Sequence, residues 1–460
     1  MPHSPPQPRP ATPSITPTRI LAADVLADLR GGALLDHAFE RRTAGLEARD
    51  RRWLHELLWE MLRRRGWLDA LLTERVRGGL ARLDADVTDL LRLGAYQLLY
   101  MGSVPAYAAI GQTVELAKRR HGLGASKLAN AVLRRIDRDR QDAADTGLAP
   151  MLPDDPIDAL ALRHSHPRWL VARWAERFGL VETARLLAAN DAEAPVVVRP
   201  FGVTRDELVA ALAGAGVGLA DPGRDVTWAR DSVQLASGTQ LTALGAFRQG
   251  QFFVQDPAST LVVQYAAVPE GADVADVCTA PGGKALELSR TARAVYASDV
   301  STSRLRRVVA NVERLHADRV HVLAADARNP AVRPVDAVLV DAPCTGTGTF
   351  RRHPDARWRL KISDLAVMAS LQRAVLRGAA SIVRPGGLLV YSTCSLEPEE
   401  NDAQVDAFLA EHPEFTPEPP PDGAVPAAVL DGDRLRVLPH RHGVDGAFAA
   451  RLRRSDEVAA

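Results

Sequence analysis

From residue 19 to 140 apolar side chains recur three and four positions apart, as in Leu21, Val25 and Leu29, or Leu54, Leu57, Leu58, Met61 and Leu62, and strand-like alternation is absent. That spacing predicts an all-α domain of amphipathic helices separated by glycines and short polar turns. Residues 141–158 are rich in Asp, Ala, Gly and Pro with no sustained period, which reads as a linker. A helix is then expected through His166–Trp174, a strand at Pro195–Arg199, a helix over TRDELVAALAGAG and an extended run from Val226 to Ala236, which together make a small α+β domain over 159–245. From 246 to 455 apolar runs rich in β-branched residues alternate with helical patterns: Val274–Cys278, Ala294–Asp299, Val320–Asp326, Ala337–Asp341 and Leu388–Cys394. Such alternation is the mark of an α/β, Rossmann-like domain with a doubly wound parallel sheet.

Composition narrows the class. The chain has 460 residues, 46% of them hydrophobic, enough for several packed cores. No apolar run is long enough to span a bilayer, and residues 1–18 form a proline-rich stretch without the apolar segment of a secretory signal. We therefore expect a disordered tail on a cytoplasmic, monomeric protein with no membrane contact. Three cysteines without Cys-x-x-Cys or Cys/His spacing predict neither a disulfide framework nor a metal site. The net charge is zero, yet residues 16–140 hold 22 basic against 16 acidic side chains. The surplus concentrates at Arg63, Arg64 and Arg65, at Lys118, Arg119 and Arg120, and at Arg134 and Arg135. Local density of this kind suits RNA phosphates, and equally suits solvated helix faces.

All three cysteines fall in short motifs at expected strand ends, where ligands bind in open α/β sheets: Asp276 to Lys284, Asp341 to Cys344, and Ser392 to Ser395. The placement points to thiol chemistry, against the alternative of three small buried hydrophobes. In Cys278-Thr279-Ala280-Pro281-Gly282-Gly283-Lys284 the glycine pair permits a tight turn and close backbone approach before a helix. Asp299, at the next strand end, suits the two hydroxyls of a ribose; Asp326, at the third, suits an adenine amino group. Each could instead cap the following helix. Together they favour a nucleoside cofactor, and the absence of Gly-x-Gly-x-x-Gly argues against a nicotinamide dinucleotide. S-adenosylmethionine carries an adenosine without phosphate, and Asp276 and Asp341 flank the expected place of its sulfonium.

The segments DVCTAPGGK, DAPCTGTGTFRRHPD and YSTCSLEPEEN closely resemble the motifs of RNA (cytosine-5)-methyltransferases. LRLGAYQLLYMGSVPAYAAIGQTVELAKRR, followed by LANAVLRR, resembles the NusB-like RNA-binding helical domain. The combination resembles the bacterial Sun/Fmu-type 16S ribosomal RNA methyltransferases over nearly the whole chain. This resemblance implies that Cys278 to Lys284, Asp299, Asp326 and Asp341 contact S-adenosylmethionine, that Cys394 is the nucleophile, and that Cys344 helps release product. It implies RNA, as 16S ribosomal RNA or a precursor particle, as the partner. The chain departs from the family at Ala285, where Thr is common, and at Asp445-Gly446-Ala447-Phe448, where the third residue is usually Phe.

The chemistry accounts for the residue types. Carbon 5 of cytosine is a poor nucleophile until a thiolate adds to carbon 6, and a carboxyl at Asp341 near N3 would assist that addition. Lys284 is expected to orient Asp341 or to lower a thiol pKa. Arg351, Arg352 and His353, just past Cys344, are expected to grip the flanking RNA backbone. A transfer-RNA methyltransferase using the same route and a non-catalytic RNA-binding protein are the competing readings.

Overall fold

The computed structural model describes residues 15–143, 147–219, 228–236 and 238–456. The expected tail at 1–18 lies mostly outside them, as do Val226 and Thr227 of the expected extended run. The chain divides into two compact units: residues 15–184 with His353–Trp358, and residues 185–352 with 359–456.

The first unit begins with helices at Pro17–Arg30, Leu35–Thr43, Ala48–Arg63, Arg65–Thr73, Ala85–Tyr100 and Ala106–Asp142, the last broken at Gly122 where φ is 80°. Leu54, Leu57, Leu58, Met61 and Leu62 all fall in its buried core. Gly94 lets the last two of these helices approach closely, since a Cβ there would lie 2.7 Å from Leu133 Cδ1. The expected linker is partly helical: a helix starts at Pro156, with Asp155 accepting from the backbone N–H groups of Ile157 and Asp158. Apolar periodicity misses it because the signal there is a cap followed by proline at the first helical position. Within this unit Trp358 Nε1 donates to Leu62 O at 3.0 Å, and Arg357, fully buried, bonds His166.

In the second unit a three-stranded antiparallel sheet has the order β2-β1-β3, with β1 Val197–Pro200, β2 Val233–Gln234 and β3 Phe252–Val254. Phe252 and Phe253, which follow the expected boundary at 245/246, pair with β1 and not with a strand of the large sheet. Helix Arg205–Gly214, with Thr204 and Glu207 forming a capping box, covers this small sheet through buried Leu208 and Leu212.

The large sheet contains β4 Asp273–Asp276, β5 Ala294–Asp299, β6 Val320–Ala324, β7 Val335–Asp341, β8 Val383–Thr393, β9 Phe415–Pro417, β10 Leu430–Asp431, β11 Arg434–Val437 and β12 Ala447–Arg454. Its order is β10-β11-β12-β8-β7-β4-β5-β6, with β9 on β12. Strands β8, β7, β4, β5 and β6 are mutually parallel, and β12 joins β8 antiparallel. The chain leaves β4 toward β5 and β6, then returns to β7 and β8 on the other side. That reversal opens a crevice at the carboxyl ends of β4 and β7.

Candidate active site

Strand β4 delivers Asp276 to the bottom of the crevice, fully buried. Thr279 Oγ1 donates to its Oδ2 at 2.9 Å, and burial pushes the carboxyl up to about 7. The following turn needs Gly282, whose φ is 102° and whose Cβ would press on Val308 at 3.0 Å. Cys278 lies in this turn, its thiol pushed up by burial and by Asp276 and Asp341. Asp299, at the end of β5, is 3% exposed; it accepts from Ser301 N at 2.8 Å and pairs with Arg304 at 3.3 Å. Asp326, just past β6, is held below the usual carboxylate range by bonds from Arg328.

The ends of β4, β7 and β8 bring four of the expected residues together. Lys284 Nζ lies 2.7 Å from Asp341 Oδ2, and Asp341 Oδ1 accepts from Ser392 Oγ at 3.1 Å. Burial alone would lower the Lys284 pKa, but Asp341 outweighs it and the ammonium is held above its ordinary value. Cys344 Sγ and Cys394 Sγ are 3.3 Å apart. The bond to Cys394 and burial push the Cys344 thiol well up.

Residues that sequence reasoning did not single out hold the two thiol loops in place. Buried Glu400 accepts from Thr345 N at 2.9 Å and from the hydroxyls of Thr345 and Ser395, one residue past each cysteine. Gln372 Nε2 bridges Glu400 Oε1 at 3.0 Å and Pro343 O at 2.9 Å. Gly348 N donates to Cys394 O, and Gly446 N to Gly348 O; a Cβ on Gly348 would lie 2.7 Å from Gly446 Cα. Asp445-Gly446 thus supports the thiol loop directly, and Ala447 and Phe448 are buried beside β8. Glu400 stands inside the motif YSTCSLEPEEN, a signal open to sequence reading.

Several expected RNA contacts are otherwise engaged. Arg351 is 6% exposed and, with Arg352, is clamped between Asp256 and Asp445 at 2.5 to 3.0 Å, so the pair fastens the loop after Cys344 instead of facing solvent. His353 pairs with Asp36 at 3.0 Å. Arg63 is buried at 3% and pairs with Glu60, which also takes Arg64; Arg65 lies over the Trp358 ring. Arg120 pairs with Asp24 and Asp86, and Arg119 with Glu115, whereas Lys118 is exposed.

A mixed sheet whose five parallel strands carry acidic ends at Asp276, Asp299 and Asp341, without a Gly-x-Gly-x-x-Gly phosphate loop, fits a Rossmann-like methyltransferase domain. Residues 264–453 match the family described as 16S rRNA methyltransferase RsmB/F, residues 16–138 the NusB family, and residues 166–242 the RsmF/B-like ferredoxin-like domain. The chain is 33% identical to the probable ribosomal RNA small subunit methyltransferase B of Synechocystis sp., over 95% of this chain and 99% of the relative. It is 34% identical to ribosomal RNA small subunit methyltransferase B of Pseudomonas syringae pv. tomato, over 94% and 96%. The crystal structure of PH0851 superposes with a TM-score of 0.78 at 26% identity, covering 96% of this chain and 99% of that one. The chain belongs to the 16S rRNA methyltransferase RsmB/F family. Its cofactor is S-adenosylmethionine, and the donor set fits: the carboxylates of Asp276, Asp299 and Asp341 at the strand ends can accept from hydroxyls and hold a cation, and the loop after β4 lacks the Gly-x-Gly-x-x-Gly of a dinucleotide phosphate cradle. Among the described residues no helix is long and apolar enough to cross a membrane.

Proposed function

We propose that this chain methylates carbon 5 of a cytosine in 16S ribosomal RNA, with Cys394 as the nucleophile. The observation that carries the reading is the pair of sulfurs 3.3 Å apart, on neighbouring strand ends, beside the Lys284–Asp341 ion pair. One buried thiol is ordinary; two in contact next to a paired lysine and carboxylate are a reaction centre. When bound, S-adenosylmethionine supplies an electrophilic methyl group, and Asp299 and Asp326 hold its adenosine. Cys394 adds to carbon 6 as its thiol proton passes, by way of the Asp341 carboxylate that Lys284 and Ser392 orient, to N3 of the ring. Electron density then collects on carbon 5. After methylation Cys344, once ionised, takes the carbon 5 proton, N3 returns its proton to Asp341, the ring double bond re-forms, and the Cys394 thiolate leaves.

The target base must leave any stack to reach these thiols, so the RNA is a loop or is locally opened. The NusB-like domain supplies affinity through its solvent-facing cations, such as Lys118 and Arg134, rather than through buried Arg63. Bisulfite mapping of RNA from cells lacking the protein tests the reading. One cytosine of 16S ribosomal RNA should lose its methyl group; loss confined to transfer RNA, or no loss, overturns it.

A further inference from the structure

Most arginines that looked available to RNA are matched by a carboxylate, and the helix Thr302–Leu315, where Arg304 pairs with Asp299, carries an exception in the second unit. Arg307, on its outer face, is exposed and makes no ion pair among the described residues. It lines a cavity of about 450 Å³ that also takes in Asn311, Arg314, Lys284 and Asp341 and borders the cofactor turn at Thr279, Pro281 and Gly283. The acids of that cavity are accounted for. Asp256 is taken by Arg351 and Arg352, Asp341 by Lys284, and Asp276 is fully buried under Thr279. Arg314 bonds only uncharged partners: the carbonyls of Phe247 and Phe252 at 3.0 and 2.9 Å and Asn311 Oδ1 at 3.1 Å. The wall therefore keeps two uncompensated positive charges. With Oδ1 of Asn311 committed to Arg314, the side-chain amide has its N–H groups left to donate.

We propose that this wall, with Arg307 as its main contact, seats a backbone phosphate of the RNA strand next to the target base. The inference rests on the reading of the chain as an RNA methyltransferase. Neither Cys344 nor Cys394 lines the cavity, while Lys284 and Asp341 do, so the cavity adjoins the thiols without enclosing them. A strand delivering one base to the thiols must continue away from them, and a positively charged channel sharing the Lys284–Asp341 pair gives it a path. A phosphate also accepts from both kinds of donor present, guanidinium and amide.

Affinity of an in vitro 16S ribosomal RNA transcript for the full chain, measured by filter binding across a salt series, tests this. Arg307→Glu should raise the dissociation constant roughly tenfold at low salt and flatten the slope of log K against log salt by about 0.7 for each phosphate no longer neutralised. Arg307→Lys should restore most of the binding, and cofactor affinity by calorimetry should not move. Arg333→Glu makes the same charge change on an exposed residue just before β7, at the opposite end of the strands, and should have little effect. An Arg307→Glu protein that binds like wild type at every salt concentration, or loses no more than Arg333→Glu, overturns the proposal. A wild-type protein that binds the transcript yet methylates none of its cytosines sinks the reading of the activity instead, and the binding comparison still decides the phosphate seat.

Discussion

The sulfur of Cys344 lies 3.3 Å from the sulfur of Cys394, although fifty residues separate them. The contact and burial keep Cys344 protonated at neutral pH. Once Cys394 is bonded to carbon 6 the contact changes but the burial remains, so Cys344 must still ionise from above the ordinary thiol range before it can take the carbon 5 proton. Release of methylated RNA should therefore speed up with pH, by about tenfold per unit between pH 6 and 8. Rapid-quench decay of the adduct in a single turnover checks this; a pH-independent decay removes Cys344 from that step.

Asp276 predicts a pH dependence of stability. Its folded-state pKa, about 7, lies above the ordinary 3.8, so between those values the folded protein keeps a proton that the unfolded chain has lost. The group's contribution is complete below pH 4 and disappears as pH rises through 7. Asp276→Asn cannot titrate and keeps an acceptor for Thr279. The stability of wild type relative to this variant should fall by about 4 kcal/mol at most between pH 4 and 8. Parallel denaturation curves for the two proteins across that range would show that Asp276 ionises normally.

Asp299 should govern cofactor affinity. Its carboxylate is 3% exposed at the end of β5, and a charge-assisted bond to a ribose is worth roughly 1.5 to 3 kcal/mol. Asp299→Ala should weaken S-adenosylmethionine binding about 10- to 100-fold in calorimetry, with RNA affinity unchanged. Equal cofactor affinity would place the ribose elsewhere.

The central parallel strands were legible because they are buried on both faces and read as apolar runs, as in Ala337 to Val340. The antiparallel edge was not. Strand β12 carries Arg451 at 3% exposure, its charge met by Glu418 and the carbonyl of Ala266, so its pattern reads as polar. The same difficulty hides the clamp. Arg351 and Arg352 look like a basic patch because their partners, Asp256 and Asp445, are more than ninety residues away in either direction. Arg63 was readable by contrast, since Glu60 sits three residues earlier on the same helix face. The thiol motifs were legible as motifs, Glu400 among their residues; that Gln372, outside them, ties Glu400 to Pro343 emerges only from the fold.

The division of labour between the two thiols is the centre of the account, and one gel decides it. Labelled 16S ribosomal RNA transcript and S-adenosylmethionine are incubated with Cys344→Ala, with Cys394→Ala and with the double variant, then run under denaturing conditions. Cys344→Ala should give a slow protein–RNA band, because addition through Cys394 proceeds and release fails, and the band should vanish in the double variant. Cys394→Ala should give no band and no methylated product. A slow band from Cys394→Ala instead would make Cys344 the nucleophile and contradict the account.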